Sequence, residues 1–405
     1  MEVKIKFVAS GNVTSPRGFS AGATYVGIKR KAKDVLDLGI LLSKAPCTAT
    51  GLFTTNRIKA APVVLSQQRL RAGKASAVVV NSGCANAFTG AQGLTDAAEM
   101  VELAAKKLRV SPEDVLAAST GVIGQHLPMK LIKAGIKKVV VSRDGGHELA
   151  RAMMTTDTVP KEAAVAVKVD DIKFTIGGVT KGAGMIHPDL ATLLCFLTTD
   201  AAVGIDFLKF ALRKATDVSF DMISVDGDTS PSDMVIIMAN GLAGNKPISH
   251  GSREADAFQQ ALSQLCVYLA KCVVHDGEGA TKLVEVTVSG ALSAAEARLA
   301  ARTIISSPLV KAAFHGADPN WGRIVAAVGR SGVEIVESKI DLRIGNLCVV
   351  KAGCPLSFDK QELISTLRSD EVVINLKLNL GIGAATAWGC DLSEEYVTIN
   401  SQYLT

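Results

Sequence analysis

Residues 187–201 read "HPDLATLLCFLTTDA", an apolar block that opens on a hydroxyl residue, Thr192, directly after Pro188 and the glycine-rich stretch "GGVTKGAGMI" at 177–186. The block from Leu193 to Leu197 is continuous rather than alternating and is too short for a typical helix. It therefore reads as a strand buried on both faces, which requires layers packed on either side of its sheet. The question it raises is why such a strand should begin with threonine.

Working outward, helical and strand periods alternate along the whole chain. Ala261, Leu262, Leu265, Leu269, Cys272 and Val273 follow the three-and-four spacing of one helix face, and Gly277 is expected to stop that helix in a left-handed conformation. "KLVEVTVSG" alternates Val284, Val286 and Val288 with polar residues, and "VINLKLNLG" does the same with Ile374, Leu376, Leu378 and Leu380. Half-polar strands favour antiparallel or mixed pairing. "SPEDVL" offers Ser111, Pro112 and Asp114 as cap, first-turn proline and capping acid of a short turn, and "SAAEARLAARTI" starts another helix. A chain of 405 residues exceeds one ordinary core, so the expectation is an α/β protein of two lobes with mixed sheets.

Composition excludes several classes. Apolar residues make up 48% of the chain and aromatics 4%, as in α/β proteins with aliphatic cores. The net charge of +5 is spread without a basic stripe, which argues against nucleic acid as a partner, and the short run "KRKAK" at 29–33 reads as a solvated turn. Eight cysteines without C-x-x-C or zinc spacing suit reduced, buried thiols, so no metal site is expected. "MEVKIKFVAS" has no signal-peptide pattern and no stretch approaches a membrane span. Together these point to a cytoplasmic protein with no membrane partner.

Three familiar chemistries fail on spacing. "GIGAAT" places Thr386 where a dinucleotide loop needs glycine, with no helix pattern after it. "DGDTSPSD" from Asp226 has Pro231 at the sixth position of a calcium loop and Ile237 at the twelfth, so it reads as a polar turn whose acids serve packing or a site. No G-x-S-x-G occurs, and the six histidines lie in unrelated contexts, leaving no imidazole base for a hydroxyl nucleophile. Thr192 needs none if the bond before it is cut. The α-amine so released has an intrinsic pKa of about 7.7–8.0 and can deprotonate its own hydroxyl. An ordinary strand start is the competing account of the same residues.

Beyond these patterns, "KGAGMIHPDLATLLCFLTTDA" closely resembles the processing segment of the ornithine acetyltransferase family, the ArgJ-type glutamate N-acetyltransferases of arginine biosynthesis. The resemblance runs in order through "FTTNRIKAAPVVLS", "NSGCANAFTG", "STGVIG", "MMTTDT", "VDGDTS", "HDGEGATK", "GADPNWGR" and "ATAWGCDLSEEYVTIN", from about Gly18 to Thr405. It implies a two-lobed α/β sandwich related to self-processing aminopeptidases of the DmpA type. It also implies cleavage between Ala191 and Thr192 into an α chain, 1–191, and a β chain, 192–405, assembled as an α2β2 heterotetramer.

The resemblance further implies the chemistry. Thr192 would take the acetyl group of N2-acetyl-L-ornithine and pass it to L-glutamate by a ping-pong route, without a cofactor, with Thr120 and the Gly121 N–H holding the oxyanion. Thr155, Lys181, Glu278, Asn400 and Thr405 fall on the family's substrate-binding positions, Glu278 suited to the ornithine ammonium and Lys181 to a carboxylate. Some members also use acetyl-CoA, and these residues leave that open. Departures are Cys84 and Asp189 where asparagine is common, Ala183 where serine is common, and Pro231-Ser232 where Thr-Asn is usual. Asp189 precedes the cut by three residues and bears on the rate of self-processing. A self-processing threonine aminopeptidase or amidase, and an uncut binding protein, remain as alternatives.

Overall fold

The computed structural model describes residues 3–29, 35–187 and 193–402. Among these, two mixed sheets of nine and seven strands carry the fold, with helices on their faces. The α/β expectation with mixed pairing holds.

The strand Leu194–Thr199 lies inside the larger sheet, fully buried. It pairs antiparallel with Ile172–Lys181 and parallel with Met234–Ala239. Its side chains divide by parity. Leu193, Cys195 and Leu197 enter one core with the helices Ile205–Asp217 and Arg253–His275, while Leu194 and Phe196 enter a second core on the opposite face. Burial on both faces is why the run shows no polar alternation. The sheet runs from Val3–Phe7 at one edge through Lys161–Val169, Ile172–Lys181, Leu194–Thr199, Met234–Ala239, Leu38–Phe53 and Lys74–Cys84 to Val115–Val122, with Phe19–Thr24 also paired to Leu38–Phe53. Segments from both sides of position 191 thus share one sheet.

The smaller sheet contains Glu371–Lys377, parallel to Leu283–Ala291 and antiparallel to Asp341–Ile344. Val372, Ile374 and Leu376 point inward and their neighbours outward, matching the alternation in the sequence. The Arg253–His275 helix joins the two sheets. Ser252 caps it by accepting the Ala255 N–H at 3.1 Å. It packs on Lys161–Val169 and Ile172–Lys181 of the larger sheet and reaches Gly383–Cys390 of the smaller one.

Local expectations differ at three places. Gly277 is not left-handed; the positive φ of +68° belongs to Gly279, where a Cβ would sit 2.5 Å from the Tyr396 nitrogen. The "SPEDVL" turn is a three-residue 3-10 turn and the Ser111 side chain caps nothing. Lys29 is not a solvated charge. It is half-buried, its ammonium donates to Leu36 O at 3.0 Å, and burial lowers its pKa to about 8 against the attraction of Asp37 and Asp157. Arg30–Asp34 lie outside the described residues. The eight cysteines form no disulfide, and five are buried. Among the described residues no helix is long and apolar enough to cross a membrane.

Candidate active site

The site begins where the parallel pair Lys74–Cys84 and Val115–Val122 loses register, Cys84 facing both Thr120 and Val122. A bulge of this kind re-aims the chain at a strand end. Gly83 and Gly121 oppose each other there with φ of +98° and +126°. A Cβ on Gly121 would lie 2.3 Å from the Gly83 carbonyl carbon, so the close approach admits glycine alone. This places Thr120 and Gly121 at the rim of a cavity.

Lys181 ends the Ile172–Lys181 strand. Its ammonium donates to Thr155 Oγ1 at 2.9 Å and reaches Thr120 Oγ1 at 3.4 Å, with Asp157 Oδ2 3.9 Å away. Asp157 is fully buried and accepts from the Thr155 N–H, the Gly182 N–H and the Lys161 ammonium at 2.9, 2.7 and 2.7 Å. Burial opposes its charge, but Lys181, Lys161 and these hydrogen bonds outweigh it and hold the carboxyl below the usual carboxylate range. Lys161, itself buried, also donates to Asp276 at the end of the Arg253–His275 helix, and Thr158 donates to the same carboxylate. One buried ionic network therefore ties Thr155 and Lys181 to the turn that carries Glu278.

Glu278 is held by its N–H to Ala183 O at 2.9 Å, and its carboxylate accepts from Asn400 Nδ2 at 2.7 Å. It covers Gly184, where a Cβ would overlap the carboxylate at 2.4 Å. Gly184 thus serves by leaving space, and Gly182 beside it has a φ of +156°. Just beyond, Met185 adopts a left-handed φ of +55°, and Asp226 clamps this turn by accepting the Met185 and Ile186 N–H groups. The chain before the expected cut is therefore gripped by the "VDGDTS" turn, so the acid that fits no calcium loop has a structural task.

Thr120, Gly121, Thr155, Lys181, Glu278 and Asn400 all line one cavity of about 150 Å³, together with Leu193, Ser230, Ser232 and Asp233. Six sequence-predicted residues from five separate elements are brought together. Ala191, Thr192 and Thr405 lie outside the described residues, as does Asp189. Asp157 escaped the sequence reading although it sits in the quoted "MMTTDT", and the acids of "DGDTSPSD", Asp226 and Asp233 among them, were assigned only to packing or a site, because nothing local marks a carboxylate as buried. Among the described residues no His, Cys, Asp and Glu side chains group as a metal site.

Removing Asp157 tests the network. Asp157→Asn leaves two cations without their shared partner, and breaking a buried pair in this way costs about 3–5 kcal/mol. The loss should appear in denaturant midpoints. Because the folded carboxyl titrates below its unfolded value, its contribution is complete above about pH 3.9 and is lost as pH falls below that. The gap between wild type and variant should accordingly be full at neutral pH and close in acid.

The α/β fold thus offers a small cavity lined by charged and hydroxyl side chains at the bulged end of a buried sheet. The ArgJ family model matches residues 20–405, and the chain belongs to the ArgJ family. It is 52% identical over 405 residues to the arginine biosynthesis bifunctional protein ArgJ of Dehalococcoides mccartyi (strain CBDB1), covering 100% of both chains. It is 50% identical to the protein of the same name from Symbiobacterium thermophilum over 98% of this chain and 99% of that one. Among solved structures, the arginine biosynthesis bifunctional protein from Bacillus halodurans aligns with a TM-score of 0.50 and 45% identity, covering 51% of this chain and 98% of its own.

Proposed function

We propose that this protein moves the acetyl group of N2-acetyl-L-ornithine to L-glutamate through an acetyl ester on Thr192, after cutting itself between Ala191 and Thr192. The observation that carries the reading is the convergence of Thr120, Gly121, Thr155, Lys181, Glu278 and Asn400 on a cavity bordered by Leu193, the residue next to the nucleophile. Thr192 Oγ attacks the acetyl carbonyl while its α-amine accepts the proton. Ornithine leaves, glutamate attacks the ester, and the product N-acetylglutamate departs. The Thr120 hydroxyl and Gly121 N–H receive the oxyanion of both tetrahedral intermediates. Lys181 is suited to the substrate carboxylate and Glu278 to the ornithine side-chain ammonium, with Thr155, Asn400 and Thr405 completing the pocket.

The α chain, 1–191, and the β chain, 192–405, would remain joined after the cut by two six-residue ladders. Lys181 back to Ile176 pairs with Leu194–Thr199, and Met234–Ala239 pairs with Phe53 back to Thr48. A solved relative whose chain matches over 98% of its length yet spans 51% of this one is consistent with separate halves. Assembly as an α2β2 heterotetramer and a cytoplasmic location complete the proposal. The curated relatives, named for a biosynthetic role across the full chain, disfavour the aminopeptidase or amidase alternative.

The test uses acetyl-labelled acetylornithine without glutamate. The expected result is one acetyl group on the fragment that begins with Thr192, released as N-acetylglutamate when glutamate is added. Label released to water at the same rate with or without glutamate would indicate a hydrolase instead. Running acetyl-CoA in parallel decides the donor range.

A further inference from the structure

Self-cleavage and acetyl transfer cannot share one base. The α-amine that serves as base during acetyl transfer is an amide nitrogen before the cut, and an amide nitrogen accepts no proton at neutral pH. Self-cleavage therefore needs a different proton acceptor.

Three titratable side chains line the cavity among the described residues: Lys181, Glu278 and Asp233. Lys181 is engaged as a donor to Thr155 and Thr120, and the Glu278 carboxylate accepts from Asn400. Asp233 differs. It is 4% exposed, and its Oδ2 has no hydrogen-bond partner among the described residues. Its backbone is fixed beside Leu193, the first described residue after the expected cut. The Met234 N–H donates to Leu193 O at 2.9 Å, Met234 is in register with Leu194, and the Asp233 carbonyl accepts the Thr54 N–H at 3.0 Å. Burial raises its proton affinity well above that of an ordinary carboxyl, against the opposing pull of Lys181, the one charged group acting on it, and hydrogen bonds from Ser230. A carboxylate shifted that way is a competent base near neutral pH, where an ordinary one is too weak.

Resting on the assignment of Thr192 as nucleophile, we propose that Asp233 is the proton carrier of self-cleavage, a role distinct from the amine's role in transfer. The Asp233 carboxylate takes the Thr192 hydroxyl proton as Oγ bonds to the Ala191 carbonyl carbon. The tetrahedral intermediate collapses with rupture of the C–N bond, and the proton on Asp233 passes to the departing nitrogen. Water then adds to the resulting ester, the C–Oγ bond breaks, and a proton from that water returns to Oγ. One water is consumed, and the freed amine becomes the base for every later turnover.

The experiment follows freshly translated full-length chains by intact mass over time. Wild type should convert to two fragments, the second beginning at Thr192. Asp233→Asn, the same shape without a basic oxygen, should convert roughly 10²–10⁴-fold more slowly, with a cooperative melt showing that it folds. Asp233→Glu should recover part of the rate. Hydroxylamine, which cleaves esters, should not accelerate Asp233→Asn, since formation of the ester is the slowed step there. Conversion of Asp233→Asn at the wild-type rate, or its restoration to that rate by hydroxylamine, would overturn the assignment. If the variant does not fold, the wild-type pH profile decides: the rate should fall in acid as the carboxylate protonates, and a rate independent of pH from mildly acidic to neutral conditions refutes the role. A wild type that never cuts at Ala191 sinks the nucleophile reading itself, which is a separate outcome.

Discussion

Thr192→Ala is expected to remain a single 405-residue chain and to lose acetyl transfer by roughly 10⁴-fold or more. The two losses share a cause. Without Oγ no ester can form with Ala191, so the amine is not released, and without the amine and Oγ no acetyl group can be accepted from the donor. Effects of this size arise because nucleophile and base act as a unit, so removing one removes the work of both. Thr192→Ser should convert to two chains, because it retains a hydroxyl and, once cut, an amine. Intact-mass measurement and a transfer assay on the same samples check both. A Thr192→Ala chain cut normally at Ala191 would exclude this residue as nucleophile.

The second large effect is expected at Gly121. Alanine there would set its Cβ 2.3 Å from the Gly83 carbonyl carbon and 2.6 Å from the Cys84 nitrogen, both backbone atoms that cannot rotate away. The bulge must open, and Thr120 and Gly121 would move from the positions at which they are proposed to hold the oxyanion. Loss of one such donor lowers rates by about 10²–10³, and overpacking adds about 1–3 kcal/mol of destabilisation. Both self-cleavage and transfer should slow together, since each passes through an oxyanion. Gly124→Ala is the control. That glycine also has a positive φ, +81°, but a Cβ meets nothing within 4 Å, so it should lose about 1 kcal/mol of stability or a little more and little activity. Equal rate losses in the two variants would show that backbone strain, not donor position, is responsible.

Legibility in the sequence followed the range over which each property is set. The alternation of Ile374 and Leu376 and the uninterrupted run from Leu193 to Leu197 are local, and the sheets appear as those periods require. Helix Arg253–His275 was readable for the same reason, yet the stop at Gly277 was misplaced, because the crowding that selects a glycine at 279 comes from Tyr396, far along the chain. "KRKAK" misled similarly: a lysine in a charged run becomes half-buried only once Leu36 and Asp37 fold over it. In the site, Thr155, Lys181 and Glu278 were found through the family resemblance, and no spacing rule joins residues so far apart.

The amino-acid sequence by itself determined the α/β class and the buried strand behind Thr192, since periodicity is a property of neighbouring residues. Only the tertiary structure decided which carboxylates have charged partners and which are buried without one on an oxygen. Asp157 and Asp233 are the same residue type in similarly polar segments. The first is drawn into ionisation by Lys161, one turn of sequence away, and by Lys181 from the next strand, whereas burial raises the proton affinity of the second. That difference is made by desolvation and distant charges, which arise when strands separated in sequence are brought side by side.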